Sequence, residues 1–250
     1  MLTIPTLEKL RELKFHGMTK AFEEQIRSSE YGALSFEERL GLLIDREKTD
    51  RENRRLKGRL TCAKIRHSQA CLEDIDYSAS RALDKSLLQS LGTCQWIREH
   101  LNLLLDGPTG SGKSFIADAF ANKACREGFK VLCLRAPRLF EDLSLSHGDG
   151  RYPKLMSTLA KVQLLVIDDW GLSKITDSQQ RDFLEILEDR HGIRSTLITS
   201  QIPSTHWHEL MDNPTVADAI LDRLIHNAYK INLKGESMRK KKSKLTLTAE

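Results

Sequence analysis

The chain has 250 residues and a formal net charge of +4, long enough for one large domain with a small appendage and a sizeable core. No run approaches the ~18 consecutive apolar residues of a membrane-spanning helix, and Glu8 and Glu12 stand where a secretion signal needs an apolar stretch. The five cysteines, Cys62, Cys71, Cys94, Cys125 and Cys133, form no C-x-x-C pair, so they read as reduced thiols of a cytoplasmic protein, not as disulfides or a zinc site.

Residues 3 to 30 read as helical, with Leu7, Leu10, Leu13, Phe22 and Ile26 near one face, and Gly17 is expected to break the run in two. A second helical stretch starts near Ser35, with Glu38 at capping-box spacing, and runs to about Lys64. Leu40, Leu43, Ile44, Leu56 and Leu60 form its apolar stripe. Arg46 to Arg66 holds nine basic residues (Arg46, Lys48, Arg51, Arg54, Arg55, Lys57, Arg59, Lys64, Arg66) against three acidic ones (Glu47, Asp50, Glu52), an excess of +6. One reading is a solvated face laced with i,i+4 ion pairs. The one-signed excess favours a polyanion partner.

Residues 67 to 80 lose periodicity and read as a linker. Three regions follow: a helical N-terminal domain over 1–70, a nucleotide domain over 71–235, and a basic tail over 236–250 that includes Lys240, Lys241, Lys242 and Lys244. Residues 81–92 read as a helix stopped by Gly92.

From residue 101 the periods alternate. Strands are expected at 101–106, 130–135, 162–168, 195–199 and 229–233. Helices are expected at 114–127, 137–145, 152–160, 178–191, 204–211 and 215–227. Apolar strands alternating with helices give an α/β fold, a parallel sheet with helices on both faces. Ligands then bind beyond the C-terminal strand ends. His206 and His208 flank Trp207 and read as a surface turn, with a metal pair as the alternative.

The first expected strand runs into Gly107-Pro108-Thr109-Gly110-Ser111-Gly112-Lys113-Ser114, followed by Phe115. This is the pattern G-x-x-x-x-G-K-[ST], in which curled backbone N–H groups and a helix N-terminus cradle phosphates. Lys113 reaches the β- and γ-phosphates, and Ser114 ligates Mg²⁺. A second block, Leu164-Leu165-Val166-Ile167-Asp168-Asp169, is an apolar strand ending in two carboxylates. Asp168 is the expected second Mg²⁺ ligand and Asp169 the general base for an attacking water. A third, Leu197-Ile198-Thr199-Ser200-Gln201, is a strand ending in small polar residues that touch the γ-phosphate or position the water; an ordinary strand exit is the alternative. A fourth holds Arg223 and Arg239. An arginine offered to a neighbouring subunit's phosphate stabilises transition-state charge; a surface pair of Arg223 with Asp222 is the alternative.

With these blocks the chain resembles the IstB-type ATPases that help bacterial insertion-sequence transposition, AAA+ proteins related to DnaC and DnaA. The resemblance rests on Leu13-Lys14-Phe15-His16-Gly17-Met18, Glu37-Glu38-Arg39-Leu40, Gly107–Ser114, Val166–Asp169, Ser195–Ser200, Leu221-Asp222-Arg223-Leu224 and Gly235-Glu236-Ser237-Met238-Arg239. It implies a P-loop AAA+ fold behind an all-α N-terminal domain that binds DNA and assembles. It also implies ATP with Mg²⁺, a homo-oligomer on duplex DNA with little sequence preference, and a cognate transposase as partner. Arg223 becomes the finger acting in trans, Arg239 the second sensor, and Thr199 and Ser200 the first sensor. Asp169 stands where the AAA+ pattern usually has Glu, and Gln201 where relatives often have Asn. No room remains after Arg239 for a helical lid. Three alternatives stay open: a DnaC-like helicase loader, a small-molecule P-loop kinase, and a DNA scaffold that binds ATP without turning it over.

Overall fold

The computed structural model describes residues 3–77, 81–235, 237 and 238. The chain divides into two compact units, Met1–Gly58 and Arg59–Glu250. Residues 59–70, read from sequence as part of the N-terminal domain, are tied into the second unit. Arg59 Nε donates to Cys125 O at 2.8 Å and His67 N to the Asp118 carboxylate at 2.9 Å. Asn122 Nδ2 donates to Ser68 O and Ala70 O at 3.0 and 3.1 Å.

The first unit holds α1 (Thr3–Glu12), α2 (His16–Arg27) and most of α3 (Phe36–Ala63). Helix α3 starts at the expected capping box: Glu38 N donates to Ser35 Oγ at 3.2 Å, and Ser35 N to Glu38 Oε2 at 2.8 Å. Gly17 does not break the helices. The chain turns earlier, at Lys14 with φ +60°, and Gly17 sits inside α2. Its role is close approach, since a Cβ there would lie 2.6 Å from Glu47 Cα on α3.

Phe15, which precedes α2, has no side chain that can cap it. The N–H groups of Gly17 and Met18 donate instead to Glu47 Oε2, at 2.6 and 3.1 Å. Burial alone would push the Glu47 carboxyl up; the Arg51 hydrogen bond and these two N–H groups outweigh it and hold it below the usual range. Gln25 adds a second polar link, exchanging hydrogen bonds with Arg39 O and Nε. The apolar stripe read from sequence is buried only in part: Leu43, Leu56 and Leu60 are half-buried, while Leu40 and Ile44 remain exposed, with Phe36 and Leu42 beside them.

The second unit is a five-stranded parallel sheet in the order β2-β3-β4-β1-β5. The strands are β1 (Asn102–Asp106), β2 (Val131–Arg135), β3 (Leu164–Trp170), β4 (Ser195–Ser200) and β5 (Ala228–Asn232). Around them, among the described residues, lie α4 (Lys85–Leu91), α5 (Gln95–Arg98), α6 (Lys113–Arg126), α7 (Ala136–Asp149), α8 (Tyr152–Lys161), α9 (Asp177–Arg190) and α10 (Pro214–Ile225). Leu104, Leu165, Ile167 and Ile198 pack one sheet face against Leu139, Phe183 and Leu224. Leu103, Leu105 and Val166 alternate to the other face, where α6 lies. Among the described residues no helix is long and apolar enough to cross a membrane.

Local chemistry sets the boundaries. Thr176 and Gln179 box the start of α9, and Asn213 with Pro214 opens α10. The helix expected from residue 81 begins only at Lys85, because Asp84 accepts from Ser86 N and Leu87 N. The expected helix at 204–211 is a 3₁₀ turn, Ser204–Leu210, and α5 was not anticipated.

Candidate functional site

The glycine-rich loop between β1 and α6 hangs from both neighbouring strands. Gly107 N donates to Ser200 O of β4 at 3.2 Å, and Leu233 N, just past β5, donates to Asp106 O at 2.7 Å. The loop is covered from the C-terminal side as well: Met238 N donates to Gly110 O at 2.8 Å, and Ser237 packs on Gly110. Pro108 and Thr109 are exposed at the loop crest, whereas Ser111 is buried. Helix α6 begins at Lys113, so its free N–H groups face the loop's concavity.

Lys113 is buried, and its Nζ donates to Gly107 O at 2.7 Å and Pro108 O at 2.9 Å. Ser114 Oγ donates to Asp168 Oδ1 at 2.9 Å. Thr199 Oγ1 donates to the same oxygen at 2.5 Å and accepts from Asp169 N at 3.1 Å. The P-loop helix, the end of β3 and the end of β4 are thereby knotted at one carboxylate oxygen. Ser114 and Asp168 fit Mg²⁺: hard oxygen donors side by side, few in number, leaving the remaining positions to phosphate and water. Among the described residues no group of three or more His, Cys, Asp or Glu could hold a metal ion, and a phosphate-bound Mg²⁺ needs none. His206 and His208 face carboxylates instead, Glu209 and Asp218.

Asp169 is aimed by a defect in the sheet. The β3–β4 register shifts between Ile167 and Trp170, and Asp169 adopts φ +62°. Asp is one of the few non-glycine residues that tolerate this region, and such a bulge re-aims a side chain beside a site. Its Oδ2 accepts from Arg135 Nε at 2.8 Å. Sequence reading missed Arg135, though its place at the C-terminal end of β2 puts it level with Asp168 in the parallel register.

The polar end of β4 divides its roles. Thr199 serves Asp168 and Asp169, as above. Ser200 is fully buried, and its Oγ donates to Trp170 O at 3.0 Å and accepts from Ile202 N at 3.1 Å. The side chain that reaches the loop is Gln201, whose Oε1 accepts from Thr109 Oγ1 at 2.6 Å. Asp106 stands just before the loop with a buried carboxyl, pushed up by burial against the opposing Ser204 N–H and the charges of Lys230 and Lys113. Phe115 stacks at a tilt on His67, ring centroids 6.2 Å apart, and His67 Nδ1 lies 2.6 Å from Asp118.

Arg223 lies away from this cluster. Asn102, at the N-terminal end of β1, donates through Nδ2 to Arg223 O at 3.1 Å, whereas the loop follows the opposite end of the strand. A five-residue strand separates its ends by roughly 13 Å. The guanidinium donates to Glu188 at 3.0 Å and Ala219 O at 3.1 Å. Arg239 and the tail lysines lie outside the described residues.

Residues 8–246 match the family model described as IstB-like ATP binding protein. An insertion sequence ATP-binding protein of Sinorhizobium fredii is 53% identical over 240 residues, covering 96% of this chain and 98% of that one. The insertion sequence IS1162 ATP-binding protein of Pseudomonas fluorescens is 46% identical over 205 residues, covering 82% and 89%. Among solved structures, the crystal structure of DnaI superposes with a TM-score of 0.58 over 66% of this chain and 92% of that one, at 22% identity.

Proposed function

This chain belongs to the IstB-like ATP-binding protein family, and from that premise we propose that it hydrolyses ATP while assembling with further copies of itself on duplex DNA, there to recruit and stimulate the transposase of its insertion sequence in the cytoplasm. The observation that carries the proposal is the junction of Ser114, Thr199 and Asp168 at a single oxygen, with Asp169 alongside. An acid pair joined to a P-loop serine has one economical use, in-line attack of water on a nucleoside triphosphate.

In this reading Lys113 exchanges the Gly107 and Pro108 carbonyls for the β- and γ-phosphates. Ser114 and Asp168 would hold Mg²⁺, which would supply neutralisation of the charge developing on those phosphates. Asp169 takes the proton of the attacking water once it leaves Arg135. Gln201, bonded to Thr109 at the loop crest, reports the γ-phosphate, while Ser200, its hydroxyl held between Trp170 O and Ile202 N, fixes the strand end that carries it. Arg223 cannot serve phosphates held at the far end of β1, so it acts on a neighbouring copy; it must first part from Glu188. Arg239 senses the nucleotide of its own chain.

The DNA contact uses exposed basic residues of α3, Lys48 and Arg55 among them. Arg46, Arg51 and Arg54 instead pair with Glu24, Glu47 and Asp50. Charge that reads phosphates alone gives binding that weakens steeply with salt and ignores sequence. Sedimentation of the protein with a duplex and a non-hydrolysable ATP analogue tests the whole reading. Large complexes are expected only with both ligands present. An unchanged monomer with both would overturn it.

A further inference from the structure

Arg81 is a charged side chain beside the P-loop that the proposed chemistry leaves unused. Only 4% of its surface is exposed. Nη1 donates to Ser111 O at 3.3 Å, and Nη2 donates to Asp76 O. Nε is buried without a partner. Both acceptors are main-chain oxygens, and among the described residues Arg81 forms no ion pair. A buried guanidinium with an unpartnered Nε and no counter-charge is costly, and an anion would complete it.

Its position selects the anion. A Cβ on Gly112, whose φ is +99°, would lie 2.9 Å from Arg81 Nη1, so the guanidinium rests on the loop backbone one residue before Lys113. Arg81 O accepts from Lys234 N at 3.1 Å, beyond the end of β5. In the order β2-β3-β4-β1-β5, β5 flanks β1 on the side away from β3 and β4. Asp168 and Thr199 take the metal and γ-phosphate end from the β3 and β4 side. A nucleotide laid across the start of α6 therefore points its nucleoside end toward Arg81.

We propose that Arg81 binds the α-phosphate of the nucleotide, so that the segment before β1 reads the nucleoside-side phosphate while Lys113 and Asp168 serve the other two. The inference rests on the ATP-binding reading of the loop and adds a ligand to it. A contact to the α-phosphate is uniform binding: it strengthens ADP and ATP alike and leaves the chemical step untouched.

The test is calorimetric titration of ADP and of pyrophosphate into the wild-type chain, Arg81→Met and Arg81→Lys, with unfolding midpoints as the folding control. Arg81→Met is expected to weaken ADP by about 10- to 100-fold, the loss of a charge-assisted hydrogen bond. Pyrophosphate, which has no nucleoside-side group, keeps its affinity. Arg81→Lys recovers part of the ADP loss. Equal weakening of ADP and pyrophosphate means a brace for the loop and overturns the proposal, as does unchanged ADP affinity. If Arg81→Met fails to fold, the same two ligands with Arg81→Lys decide the matter. A wild-type chain that takes up no ADP would instead overturn the ATP-binding reading itself.

Discussion

The two units of this molecule are built on opposite plans. Arg59–Glu250 buries Leu103, Leu104, Leu105, Ile116, Phe120, Leu164, Ile167 and Phe183 almost completely, and the polar groups of its candidate site gather at strand ends and in the loop after β1. In Met1–Gly58 the buried side chains include Thr19, Gln25 and Glu47, while Phe36, Leu42 and Ile44 face outward. The first plan yields a rigid frame that holds a nucleotide. The second holds its helices by a carboxylate capping α2 and leaves apolar surface available to other molecules. Under the proposed function, chemistry and assembly fall to parts of unequal cohesion.

The contrast breaks most visibly under truncation. Phe120→Ala, in the fully buried core of the second unit, is expected to cost about 3–5 kcal/mol in denaturant unfolding. Ile44→Ala, at an exposed position of the first unit, stays within about 0.5 kcal/mol. Equal losses at both positions would erase the distinction.

A smaller effect sharpens it through pH. The folded pKa of Glu47 is depressed, so its contribution is present above the unfolded value and lost as pH falls through the folded one. The first unit is expected to loosen below about pH 4.5, ahead of the second. Glu47→Gln keeps the shape, removes this acid slope, and costs about 1.5–3 kcal/mol at neutral pH. Hydrogen exchange at Gly17 and Met18 reads both effects; exchange indifferent to pH and to the substitution would refute the capping role.

The same division governs what the sequence discloses. Apolar runs punctuated by Gly, Pro and capping residues made all five strands legible, along with α6 through α10. Local periodicity carries that information. The loop Gly107–Ser114 and the pair Asp168–Asp169 were legible because their spacing is itself the chemistry. Gly17 was misread because a glycine in a helix signals a break unless one knows that α3 passes 2.6 Å from its missing Cβ. Arg135, Arg81 and the Gln201–Thr109 contact depend on which strands are neighbours, and no window of sequence contains both partners. Phe15 did offer one clue: a helix start without a capping side chain must find a remote acceptor, and Glu47 is the acceptor it found.

Under the proposed function the two carboxylates at the end of β3 do different work: Asp168 stands beside the P-loop serine, and Asp169, turned by a bulge onto Arg135, is released to activate the attacking water. Single-turnover ATP hydrolysis by Asp169→Asn, with analogue binding measured on the same sample, tests this most directly. Hydrolysis is expected to fall by about 10²- to 10⁴-fold while the analogue binds as to the wild-type chain. Turnover at the wild-type rate would contradict the account.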